Sequence, residues 1–315
     1  MTFGNRITGF NRIFSPLASA ALLLPLFLPA PALAQPSDEC DVRFAQDSAT
    51  IAMLAPGLGM GQQAIGEQTI TVTLVQSTDG DDDQRSGTCQ VDLRLSRLTS
   101  DPSFPEYRLT ASGRALEAGF SETVSSSQNQ IIVTVPSGRS GRSISLQASA
   151  PADWGTIAGR YNEQLQLALV GASGEILDRL ALNLELDIPK AVDVMFVGAT
   201  GTGQTSRIDL GALSATEPTR SPPFGLRVWS SSGYKVDISS ENGGNLAHLQ
   251  AMDAIPYQFE IDGRNVALGA APAAFTRANA TSRSGDLFRL GVYVPARRSV
   301  AGEYQDRITV SVSSI

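Results

Sequence analysis

The stretch Leu180-Ala-Leu182-Asn-Leu184-Glu-Leu186-Asp-Ile188 puts an aliphatic residue at every second position. Only an extended strand sends alternate side chains to opposite faces, so this period predicts a strand with one apolar face. A helix would scatter the same residues around its circumference. The pattern recurs. In Gln68–Val75, Ile70, Val72 and Leu74 share a face, and Ile132–Val135, Leu165–Leu169 and Arg307–Val312 behave likewise. Gly, Pro, Ser, Asn and Asp clusters separate these runs. Beyond the N-terminal segment no long stretch carries helical periodicity. Short alternating strands divided by turn signals predict an all-β fold built of β-sandwiches.

The N-terminus sets the compartment. Arg6 and Arg12 precede an apolar run from Ala18 to Leu28, and Ala32-Leu33-Ala34 supplies small residues before Gln35. A basic region, a short apolar region and an A-x-A site read as a secretory signal peptide over 1–34. Pro25 and Pro29 interrupt the run, which falls short of the ~20 residues of a membrane span. No later stretch spans a bilayer, so no membrane span is expected in the mature chain. That chain keeps 22 basic against 31 acidic residues, a net charge of −9, because the leader removes two arginines and no acids. Nucleic acid, with one phosphate charge per ~1.7 Å, is repelled on balance and is not an expected partner. Cys40 and Cys89 are an even pair in an oxidising compartment, which reads as a disulfide.

The chain also repeats itself. Tyr107-Arg-Leu-Thr-Ala-Ser-Gly113-Arg114 matches Tyr257-Gln-Phe-Glu-Ile-Asp-Gly263-Arg264. Ala158-Gly159-Arg-Tyr161-Asn-Glu-Gln-Leu165 matches Ala301-Gly302-Glu-Tyr304-Gln-Asp-Arg-Ile308, and the strand after it continues the match. The offsets are 150 and 143 and the order is kept. Ordered motifs at nearly one offset predict duplicated domains, 35–188 and 189–315, joined near Ile188-Pro189-Lys190. In each copy the second tyrosine stands four residues before the strand's first apolar position. It is expected to pack at the sandwich corner with its hydroxyl on nearby backbone.

The A-G-x-Y-x-[DE]-x-[IL]-x-[VL]-x-[VL] ending resembles the closing strand of spore coat protein U-like domains, the pilin modules of archaic chaperone–usher pili. The central tyrosine strand and the Cys40/Cys89 pair add to the resemblance, although the second copy has no cysteines. The resemblance implies two tandem immunoglobulin-like, pilin-type β-sandwiches. In that family the last strand is missing and comes from the N-terminal extension of the next subunit, a form of β-strand addition. A periplasmic pilus chaperone caps the groove beforehand, because unpaired buried backbone groups cost about 1–3 kcal/mol each.

The two copies end differently. Leu180, Leu182, Leu184, Leu186 and Ile188 follow the Tyr161 strand and form a strand able to complete the first domain in cis. After the Tyr304, Ile308, Val310, Val312 strand the chain stops, so the second domain is expected to lack its last strand and to accept one. Only Gln35–Glu39 separate the leader from Cys40, too few to donate a strand, which needs roughly eight alternating residues. These features predict a fimbrial tip subunit, an adhesin acting in surface attachment and biofilm formation. It would be exported through the periplasm to the surface of a Gram-negative cell. Its partners would be the chaperone, the outer-membrane usher and the next pilin subunit. The alternative is a secreted envelope protein of two complete immunoglobulin-like domains.

Hydrophobic loops serve as the adhesive surface in the family. The candidate here is Ile51-Ala-Met53-Leu54-Ala-Pro56-Gly-Leu58-Gly-Met60, with Ser103-Phe104-Pro105 and the turn at Trp154 as further candidates. Met53 and Leu54 equally suit the end of a buried first strand, and Trp154 a core position.

Catalytic and cofactor motifs are not met. Val194–Gln204 runs into glycines at 198, 201 and 203, but Gln204 stands where a dinucleotide fingerprint needs glycine. No helix follows to face a pyrophosphate, and Ser206–Leu213 reads as another strand. Asp79–Asp83 lacks the glutamate that closes a calcium loop. His248 has no cysteine beside it. No enzyme activity, metal or cofactor is expected.

Overall fold

The computed structural model describes residues 41–55, 57–59, 64–76, 88–99, 101–136, 141–200, 205–269 and 271–315. The predicted leader, Cys40, Met60, the acidic run 79–83 and Gly201–Gln204 lie outside them. Among the described residues there is no helix, and no helix is long and apolar enough to cross a membrane.

The first sandwich runs β1 (Val42–Phe44), β2 (Ser48–Leu54), β3 (Ala64–Gln76), β4 (Thr88–Arg97), β5 (Arg108–Ala111), β6 (Arg114–Leu116), β7 (Gln130–Pro136), β8 (Arg142–Ala152), β9 (Gly159–Val170) and β10 (Ile176–Ile188). One sheet has the order β1-β3-β8-β5-β6 and the other β2-β10-β9-β4-β7. β10 is therefore an inner strand. It pairs antiparallel with β9 and parallel with β2, Ser48–Leu54 lying against Ala181–Asp187. Its alternating aliphatics, Leu180 to Ile188, are all buried. Burying five such side chains is worth on the order of 10 kcal/mol, an upper figure because the unfolded chain already hides some surface.

The second sandwich runs β11 (Val192–Val197), β12 (Thr219–Arg220), β13 (Phe224–Ser230), β14 (Tyr234–Ser240), β15 (Asn245–His248), β16 (Ala254–Pro256), β17 (Gln258–Ile261), β18 (Arg264–Val266), β19 (Ala273–Arg277), β20 (Asp286–Val294), β21 (Tyr304–Gln305) and β22 (Ile308–Ser314). One sheet is β11-β13-β20-β17-β18, with β12 also on β20; the facing layer comprises β19-β14-β22 and a short β16-β15-β21 sheet. The chain is all-β, two immunoglobulin-like sandwiches each around its own apolar core.

The internal repeat is visible in the details. The β5–β6 and β17–β18 hairpins turn through Ser112-Gly113 and Asp262-Gly263, all four at positive φ, as a two-residue type I′ turn requires. Tyr161 and Tyr304 each donate a hydroxyl hydrogen bond to the carbonyl four residues upstream, Ile157 O at 2.6 Å and Val300 O at 2.8 Å. Tyr161→Phe is expected to cost about 1 kcal/mol, read as a lower urea midpoint at unchanged slope.

Ser206–Leu213, expected as a strand, is not one. Thr200 and Arg207 form an isolated bridge, and Leu210 and Leu213 lean on the second core. Alternation there finds no neighbouring edge to pair with.

The sandwiches meet at Ser231. Its amide donates to Ala191 O (3.0 Å) and its carbonyl accepts from Ala158 N (2.6 Å). Its hydroxyl accepts from Ala191 N (2.8 Å) and donates to Pro189 O (3.2 Å). Arg283 and Asp153 add an ion pair at 3.3 Å.

Candidate functional site: an unpaired strand edge in the second sandwich

β9 and β22 occupy equivalent places. Leu95–Leu167 and Leu93–Leu169 are paired in the first sandwich, Ile238–Val310 and Val236–Val312 in the second, each related by the offset of 143. The surroundings differ. β9 is hydrogen-bonded on both edges, to β4 and β10. β22 pairs with β14 alone among the described residues. Leu165, Leu167 and Leu169 are fully buried, whereas Ile308, Val310 and Val312 are only half-buried. Across the opening lies β11, whose Val192, Val194 and Phe196 are likewise half-buried against the second core. The result is a free row of backbone N–H and C=O groups beside an incompletely covered apolar core. Such an edge is chemically a template for an added strand.

The register of β10 on β9 specifies what the added strand would face. Leu180, Leu182, Leu184 and Leu186 stand opposite Leu167, Leu165, Glu163 and Tyr161. The equivalents on the open side are Val310, Ile308, Asp306 and Tyr304.

A polar cluster marks this end of both strands, and sequence reasoning missed it. Glu163, 3% exposed, takes an ion pair from Arg97 Nε at 2.5 Å. The Tyr107 phenol, hydrogen-bonded beside them, is pushed up to about 12, chiefly by burial. In the second sandwich Asp306 Oδ2 accepts from Tyr257 OH and Ser240 Oγ, both at 2.5 Å, while Oδ1 accepts from Asn242 N at 3.0 Å. Burial again raises the tyrosine, Tyr257. Ser240 replaces Arg97, so hydroxyl and amide donors take over from a cation. The repeat held the signal, since its offsets superpose Tyr107 on Tyr257 and Glu163 on Asp306. Because Tyr107 holds its proton more tightly folded than unfolded, the stability it supports is complete below pH 10 and lost as pH rises towards about 12. Tyr257 and Tyr234 are raised by burial as well, so in a tyrosinate absorbance titration Tyr107→Phe should remove one of several late-titrating phenols and leave the others.

At the start of β21, Asp253 Oδ2 accepts from Tyr304 OH at 2.5 Å and Val300 N at 3.0 Å. Those two donors, the tyrosine first, hold its carboxyl below the ordinary range. His248 is spent on structure. Its Nδ1 accepts from Gln250 N and Ala251 N, and Nε2 faces Ala301 O at 3.2 Å.

The described candidate adhesive residues lie towards one end of the first sandwich. β2 runs parallel to β10, so Leu54 lies beside Asp187, at the end that leads into the second sandwich. Met53 is 2% exposed and part of the core. Leu58 packs on that core, and Leu54 alone is widely exposed, at 65%. Trp154 is 7% exposed and neighbours the Asp153–Arg283 ion pair at the junction. Phe104 stacks edge-on with Tyr107 and Tyr161, again at that end. The opposite end carries the Gly171–Gly174 turn and the ends of β3 and β7; residues 77–87 and 137–140, which continue from them, lie outside the described residues. Cys89 opens β4 at that same end and is buried; its expected partner Cys40 is not among the described residues.

No family model matches the chain, and no curated protein matches it in sequence. Among solved structures it is similar to a chain of the CsuC–CsuE chaperone–tip adhesion subunit pre-assembly complex from archaic chaperone–usher Csu pili of Acinetobacter baumannii. That match has 12% identity and a TM-score of 0.43 over 87% of this chain and 99% of that one. It is similar also to the CupB6 tip adhesin from Pseudomonas aeruginosa, at 10% identity and TM-score 0.36 over 86% of this chain and 94% of the other. A third is CfaE, the adhesive subunit of CFA/I fimbria of enterotoxigenic Escherichia coli, at 9% identity and TM-score 0.32 over 87% and 86%.

Proposed function

We propose that the chain is a tip subunit and adhesin of a chaperone–usher pilus. Residues 35–188 form the adhesive domain, completed by its own β10, and residues 189–315 a pilin domain that accepts its last strand from the next subunit. The observation that carries this reading is the free outer edge of β22 beside half-covered Ile308, Val310 and Val312, set against the fully paired β9 of the same chain. Two copies of one sandwich, one filled and one open at the same place, support a strand added from outside. A periplasmic chaperone would cover the edge before assembly, and the usher would exchange it for the donor strand at the cell surface. The Cys40–Cys89 disulfide would staple the far end of the first sandwich, contributing roughly 4 kcal/mol in the chain-entropy account.

The test is recovery of the tagged protein from the periplasm of its host. A chaperone bound one-to-one and released by a synthetic peptide of residues 176–188 is the expected result. A stable, unaccompanied monomer that ignores the peptide would sink the reading and leave a secreted protein of two complete sandwiches. Attachment should reside at the end bearing the Gly171–Gly174 turn. Serine at Leu54, exposed at that junction end, is therefore expected to leave attachment to plastic within about twofold of wild type, as surface changes away from a binding site do. Loss of attachment would return the adhesive surface to that loop.

A further inference from the structure

Two loops close the end of the second sandwich remote from Ser231, and together they make one surface. Leu249 N donates to Glu303 O at 3.0 Å and His248 N to Asp253 O at 2.9 Å, while Val300 N reaches Asp253 Oδ2 at 3.0 Å. On this stitched frame Leu249 is 50% exposed, Val300 53%, and Met252 wholly exposed. Arg297 and Arg298 are exposed beside Val300, as is Glu303. Arg297 and Arg298 stand against Glu303 and Asp253, so the charges of this face balance. Exposed apolar side chains gathered on a rigid, charged rim are the composition of a contact surface.

We propose that this end face docks the folded body of the same subunit whose strand completes β22. The inference rests on the donor-strand reading, and strand polarity selects the occupant. β10 runs antiparallel to β9 and ends with Ile188 opposite Gly159, the equivalent of Gly302. A strand filling β22 in the same sense enters beside Val312 and leaves beside Gly302 and Tyr304. If it is the N-terminal extension of its subunit, the body follows at that exit, over Val300, Met252 and Leu249. The partner's face would be apolar, matching the exposed Leu249, Met252 and Val300.

The test places a photo-crosslinking benzoylphenylalanine at Met252 and, in a second variant, at Val310 of the full chain in its host. Adducts are identified by mass spectrometry on sheared fibres. Both positions are expected to capture the same polypeptide, Val310 its N-terminal segment and Met252 its folded body. Combining the Met252 probe with Leu249→Asp and Val300→Asp should lower that adduct about tenfold. Adducts at Val310 with none at Met252, or Met252 adducts only with another chain such as the chaperone, would overturn the docking surface and leave the strand reading intact. No adduct at Val310 would remove the donor-strand reading and this proposal with it.

Discussion

Leu182→Asp in β10 is expected to unfold the first sandwich and leave the second standing. Leu182 is fully buried and stands opposite Leu165 on β9, on an inner strand between β9 and β2. A carboxylate there meets only aliphatic neighbours. Burying it unpaired costs several kcal/mol even after relaxation, and the leucine's own packing is lost as well, about 2–5 kcal/mol for truncation alone. The sum rivals the whole stability of a domain, roughly 5–15 kcal/mol. Calorimetry of wild type and variant should show the loss of one of two transitions. The milder Leu182→Ala should lower that transition without abolishing it. Were Leu182→Asp to melt within a few degrees of wild type, β10 would not be the strand that completes this core.

The pairing of β10 shows which parts of the molecule are local and hence readable. Its period of two follows from which face meets a core, so its five aliphatics and those of β3, β9 and β22 were legible from the residues alone. The tyrosine corners were legible for the same reason, since a hydroxyl reaching a carbonyl four residues away is a short-range event. The end at which the 51–60 segment lies was not. It depends on the parallel pairing of β2 with β10, more than a hundred residues away in sequence, and no local signal carries direction. Apolar residues punctuated by glycine suit a strand end passing into a turn as well as an adhesive loop, and only burial of Met53 separates the two. Ser206–Leu213 errs the opposite way. Alternation offers a strand, but a strand exists only where an edge receives it. The open edge of β22 stands between these cases. Its apolar face is written in Ile308, Val310 and Val312, while the absence of a partner among the described residues is a statement about the surroundings.

That edge can be closed within one chain. Replacing Ser314-Ile315 by a copy of residues 171–188 would carry the Gly171–Gly174 turn and β10 onto the second sandwich. The offset of 143 places Gly171 in succession to Ser313, so the register of the first sandwich is kept. The copied Leu180 and Leu182 then fall opposite Val310 and Ile308, and Leu184 opposite Asp306. The new strand gains hydrogen bonds along the free edge and covers six half-buried side chains, those of Val192, Val194, Phe196, Ile308, Val310 and Val312. At ~25 cal/mol per Å² of apolar area, finishing their burial and burying the copied leucines is worth several kcal/mol after the entropy of ordering the strand. A gain of that size raises the melting transition of the second sandwich by roughly 10 °C or more. The closed variant should also purify without a chaperone and fail to enter fibres, because the edge it would offer is already filled. A matched control with aspartate at the copied Leu180 and Leu182 should melt as wild type does. If the leucine copy too leaves the melting temperature unchanged, the outer edge of β22 does not accept a strand in this register, and the second sandwich is stable as it stands.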